Sequence, residues 1–89
     1  MEKDLIQYAL YNGLEIWDAG GQIQLVARMF NEEEGFYGLV SSEDGFDACE
    51  LKDISLLGIY SDEEPDGIYI EGLTVKDAID LLASMTVEE

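Results

Sequence analysis

The chain has no histidine, one cysteine, one proline, one tryptophan and only four basic residues among 89. Each shortage removes a class of chemistry. Without histidine, the commonest base for activating a serine or cysteine nucleophile is missing. Cys49 stands alone, so it forms no internal disulfide and no cysteine-built zinc or iron–sulfur site. A reduced, cytoplasmic protein is the expectation. The four cations, Lys3, Arg28, Lys52 and Lys76, cannot neutralise a phosphate track, which argues against direct nucleic-acid binding. They also offer no grip on an anionic membrane. The longest uncharged stretches, such as Leu5 to Leu14, are too short to span a bilayer and contain Gln7, Asn12 and Gly13.

What the chain has in excess is acid. It carries 21 Asp and Glu, giving a net charge of −17, on a sequence that is still 47% hydrophobic. That hydrophobic share supports a packed core, and the length fits a single domain over residues 1–89. Solubility of a small domain asks for a net charge magnitude of only about 2–8. Charge beyond that repels itself and destabilises the compact state. The excess is therefore expected to serve a partner, with adaptation to high salt as the other reading.

Periodicity sets the fold class. Leu5, Ile6, Ala9 and Leu10 repeat at helical spacing, and Asn12-Gly13 is a stop signal, with Gly13 left-handed and Leu14 folding back on the last turn. The period then changes to two. Over Gln22 to Phe30, Ile23, Leu25, Ala27 and Met29 alternate with Gln22, Gln24 and Arg28. Shorter strands are expected at Leu14–Asp18, Phe36–Ser41, Phe46–Glu50, Ile54–Tyr60 and Gly67–Glu71. The junctions are rich in Gly, Asn, Asp and Ser and suit hairpin loops rather than long crossovers. Thr74 can cap a closing helix, with Asp77 in a near capping box and Val75, Ala78, Ile79, Leu82 and Met85 as its apolar stripe. On that helix Lys76, Asp77, Asp80 and Ser84 are expected to face water. The prediction is an α+β fold: an N-terminal helix, an antiparallel β-meander of five or six strands, and a C-terminal helix, both helices covering one face of the sheet.

No residue set makes an enzyme. Cys49 has only Lys52 as a nearby cation in sequence and reads as an inert strand residue. Paired carboxylates arise everywhere by chance among 21 acids. Asp62 to Tyr69 spaces its acids and Gly67 like the first half of a calcium loop, but Leu73 stands where the bidentate acid belongs and Pro65 interrupts it. No cofactor and no metal are expected. Trp17, Tyr37, Tyr60 and Tyr69 fit either a place in the core, the commoner fate of such residues, or an aromatic surface patch, with Trp17 on the same strand face as Glu15.

Charge density sharpens the partner. Duplex DNA carries one charge per ~1.7 Å, so a charge of this size spans roughly 29 Å of duplex. A compact domain of this length has a radius of gyration of about 12 Å and a diameter near 30 Å. In size, charge and acidic turns (Glu32-Glu33-Glu34, Glu43-Asp44 and Asp62-Glu63-Glu64-Pro65-Asp66) the chain resembles the small DNA-mimic inhibitors of phages and mobile elements, the anti-CRISPR and anti-restriction proteins among them. The resemblance implies a stoichiometric blocker of the basic cleft of a nucleic-acid-binding protein, such as a CRISPR effector or other defence nuclease.

In a simple meander of six strands, the turns at Asp18–Gly21, Ser42–Gly45 and Ser61–Asp66 would share one end. Asp18, Glu43, Asp44, Asp62, Glu63, Glu64 and Asp66 would then form the partner-binding pole, with Glu32, Glu33 and Glu34 as a secondary contact at the other end beside Asp53. The alternative is an acidic adaptor or regulatory subunit that binds through an apolar patch and uses its charge for solubility.

Overall fold

The computed structural model describes residues 3–18, 20, 21, 23–44 and 50–85. Leu5 and Ala9, one helical turn apart, are both fully buried in α1 (Lys3–Tyr11). The helix stops as its sequence dictates. Gly13 takes φ +81°, its N–H bonds the Leu10 carbonyl, and the Leu14 N–H returns to the Ala9 carbonyl at 3.0 Å. This pair of bonds satisfies the last carbonyls and turns Leu14 into the core.

Five strands follow: β1 (Glu15–Asp18), β2 (Gln24–Asn31), β3 (Phe36–Ser42), β4 (Ile54–Tyr60) and β5 (Ile68–Thr74), and the chain closes with α2 (Val75–Ser84). Each strand pairs antiparallel with the next, so the sheet order is β1-β2-β3-β4-β5. The α+β meander between two helices is thus observed, with five strands among the described residues. Of the sixth candidate, Phe46–Glu50, all but Glu50 lie outside the described residues, and Glu50 is in no strand. The Cα radius of gyration is 12.0 Å and the longest axis 33 Å. None of the helices described is long and apolar enough to cross a membrane.

Both helices pack on one face of the sheet. Leu5, Ala9, Leu14, Val26, Val40, Leu57, Val75, Ala78, Ile79 and Leu82 form one buried cluster. Val26 pairs with Val40 and Val40 with Leu57 across the three central strands, so the three share that face. Gly38, on the same face, lets α2 come close: a Cβ there would lie 2.6 Å from Leu82 Cδ1.

The start of α2 has partners for its free N–H groups. The Thr74 hydroxyl accepts from the Asp77 N–H, while the Val75 and Lys76 N–H groups bond the carbonyls of Asp53 and Leu51. Its far end is held by the only arginine. Arg28 projects from β2, and its Nη1 donates to the carbonyls of Leu82 at 2.8 Å, Ala83 at 3.2 Å and Met85 at 2.8 Å. A cation is the right group for the negative end of a helix. Its guanidinium also lies 4.7 Å from the centre of the Phe30 ring. Asp80 keeps its side chain partly in water, as expected, and also ties the two helices together: the Tyr8 hydroxyl of α1 donates to it and Lys76 pairs with it at 3.2 Å. The Tyr8 bond, reinforced by Lys76, holds the Asp80 carboxyl below the usual range.

Candidate functional site

The predicted acidic residues are sorted by how many times the chain reverses. β3 pairs directly with β4, from Tyr37↔Tyr60 to Ser42↔Ser55, so there is one net reversal between Ser42 and Ile54 rather than two. Every later turn therefore changes ends. Asp18, Glu43 and Asp44 lie at one end, together with the Lys52-Asp53 loop. The Ser61–Gly67 loop lies at the opposite end, with Glu32, Glu33 and Glu34. The expected pole joining Asp18, Glu43 and Asp44 to Asp62–Asp66 does not form. The placement failed because a strand was expected over Phe46–Glu50.

What forms instead is a different pole. The β2–β3 tip is built by Asn31, whose Oδ1 accepts the N–H groups of Glu33 at 3.0 Å and Glu34 at 3.3 Å. In the β4–β5 tip the Ser61 hydroxyl accepts the Glu64 N–H at 3.1 Å. The two tips are joined, since the Asp62 N–H bonds the Glu34 carbonyl at 3.0 Å. Gly35, at φ +59°, makes room for that contact: a Cβ there would lie 2.5 Å from Asp62 Oδ1. Between the tips is a recess of about 410 Å³ lined by Glu33, Glu34, Asp62 and Glu63 over Phe36. Glu32, Glu33, Glu34, Asp62, Glu63, Glu64 and Asp66 are all exposed. Neither loop contains a Lys or Arg. Among the described residues, the ion pairs found are Lys52–Glu50 and Lys76–Asp80, neither at this end.

A second region was only half visible in the sequence. The sheet face turned away from the helices carries Trp17, Leu25, Ala27, Met29, Tyr37, Leu39, Leu56, Tyr60 and Tyr69 on alternate positions of all five strands. No described element covers it. The four suspected aromatics form a continuous row, with ring centres 5.5 Å apart for Trp17–Tyr37, 5.2 Å for Tyr37–Tyr60 and 5.9 Å for Tyr60–Tyr69. Ala27 lies in register between the partners of Trp17 and Tyr37 and is fully buried, as it must be if those rings close over it. Tyr60 lies flat on the sheet, because a Cβ on Gly58 would meet its hydroxyl at 2.6 Å. Its hydroxyl donates to that of Tyr69 at 3.4 Å.

Beside the row runs a groove of about 370 Å³ with a floor of Leu25, Leu39 and Leu56, walled by Tyr60 and Tyr69, with Glu71 at its margin. Sequence reasoning missed Leu39, Leu56 and Glu71 as parts of a site. The signal lay in the alternate positions of β3, β4 and β5, which carry apolar residues on both faces. Trp17 also bonds its strand neighbour Glu15, Nε1 donating to Oε2 at 3.4 Å.

Cys49 lies outside the described residues. Of the calcium-like stretch, Asp62–Gly67 is hairpin loop and Ile68–Leu73 is strand, and among the described residues no three or more potential ligands converge on a metal position. Comparisons with protein-family models, curated proteins and solved structures gave no match to the chain.

Proposed function

We propose that the protein is an acidic inhibitor that binds one-to-one to the basic nucleic-acid-binding surface of another protein, taking the place of DNA and catalysing nothing. The observation that carries this reading is the joined pair of hairpin tips, with seven exposed carboxylates and no cation in either loop. Like charges gathered this way repel in the free protein and are relieved by a basic partner. A defence nuclease such as a CRISPR effector is the kind of target the DNA-mimic resemblance implies.

The test uses nuclease-treated lysate proteins that bind heparin, passed over the immobilised chain. A bound nuclease should be released by duplex DNA and by raised salt. Changing Glu32, Glu33, Glu34, Asp62, Glu63 and Glu64 to amides should weaken it far more than changing Asp18, Glu43 and Asp44. A captured partner indifferent to both DNA and salt would overturn the reading. It would favour the adaptor reading instead, which the uncovered apolar sheet face supports.

A further inference from the structure

The uncovered sheet face asks for an occupant, and charge narrows the choice. Every described cation lies elsewhere: Lys3 on α1, Arg28 under the sheet against α2, Lys52 in the β3–β4 loop and Lys76 on α2. The charged groups on the open face are Glu15 and Glu71, both exposed. At one end the aromatic row runs into the acidic pole, because Tyr60 directly precedes the Ser61–Gly67 loop and Tyr69 follows it. A second copy would bring another charge of −17 against the first. Single-stranded nucleic acid could stack on such rings, but its phosphates would meet the same field.

We propose that this face docks an extended, arginine-bearing segment of the basic partner, with a guanidinium stacked along the Tyr37–Tyr60–Tyr69 row and bonded to Glu71. The methylene stem would lie on Leu39 and Leu56 in the groove. Arginine fits better than lysine. Its planar, weakly hydrated head stacks on aromatic faces and forks onto a carboxylate, whereas an ammonium stays hydrated. The inference rests on the reading above for the sign of the partner's charge, but it concerns a different surface.

Trp17 is the only tryptophan and belongs to this row, so its emission reports occupancy. The probes are oligo-arginine and oligo-lysine peptides of equal length, titrated at physiological ionic strength. Oligo-arginine should shift Trp17 emission and bind about tenfold more tightly than oligo-lysine. Tyr69→Ala and Glu71→Gln, both at exposed positions of an edge strand, should each remove most of that preference. The amide variant of the acidic pole should weaken both peptides while keeping it. If the two peptides bind equally and Tyr69→Ala changes nothing, the inference fails while the charge reading stands. If neither binds, both fail. Dimerisation in sedimentation at high salt, blocked by Tyr69→Ala, would show that a second copy occupies the face and would also overturn the proposal.

Discussion

Leu56 and Leu57 are neighbours in β4, yet their side chains lie on opposite faces of the sheet in different surroundings. Leu57 is fully buried beneath the helices, and Leu56 is half-exposed on the groove floor. The two faces of the sheet are both apolar, but one is covered and the other is not. An antiparallel sheet with one solvated face normally turns polar residues to water. Here the solvated face keeps leucines and an aromatic row, with Glu15 and Glu71 as its charged groups, while seven acids gather at the two hairpin tips. A surface of that kind is usually a contact surface.

Truncating each leucine in turn should separate the two faces most strongly. Leu57→Ala should destabilise by about 3 kcal/mol, the cost of a cavity in a closed core. Leu56→Ala should cost about 1 kcal/mol or less, since water can fill the space. Urea denaturation measures both. Equal losses would mean the open face is covered in the free protein. Next in size is Arg28→Met, which removes the charged donor from three carbonyls at the end of α2 and should cost about 2 kcal/mol. Hydrogen exchange should show the loss concentrated in the last turn of α2; an even loss over the sheet would contradict this capping role.

Much of the covered face was legible in the sequence. Both helices had strong periodicity and capping chemistry, so Gly13, Thr74 and the Val75–Leu82 stripe behave as their spacing requires. The open face was harder to read. Alternation marked Leu25, Ala27 and Met29 as one face of β2, but the buried cluster uses Val26 from the opposite face. Periodicity shows that a strand has two faces and does not show which one a helix will cover. The acidic pole failed for a topological reason. One extra strand, assumed over Phe46–Glu50, moved Asp62–Asp66 to the wrong end without changing any local feature. Parity is a global property, and turn chemistry does not encode it.

A smaller effect tests whether the gathered acids carry a cost. Glu32→Gln, Glu33→Gln and Glu34→Gln together should stabilise the protein by about 1 kcal/mol at low salt, a rise in melting temperature of several degrees. The gain should fade toward molar sodium chloride, where the screening length falls to about 3 Å. The unmodified protein should itself melt higher as salt is added. Amides at Glu15 and Glu71, which stand apart on the open face, should gain much less. A gain as large there would mean the repulsion is spread over the whole surface rather than gathered at the tips.

The smallest effect reads the open face through a proton. The Tyr60 hydroxyl is pushed up to about 12, chiefly by burial, with further contributions from its bond to Tyr69 and from the phenolates that Tyr69 and Tyr37 would become. Tyr60 should therefore ionise late in an alkaline absorbance titration. Below pH 10, Tyr60 is neutral in both folded and unfolded chains and adds no pH dependence; as pH rises from 10 toward 12 the unfolded chain ionises first and stability falls. Tyr69→Phe should lower the late titration only part way, because it removes the hydroxyl bond and leaves the burial. Gly58→Ala should lower it further, since the new methyl group pushes the ring off the sheet. It should also dim the contrast between the faces by breaking the row between Tyr37 and Tyr69. A full return to 10 in Tyr69→Phe would mean the hydroxyl pair, not the packed ring, sets the proton affinity. The groove wall would then be looser than the contact between Gly58 and Tyr60 requires.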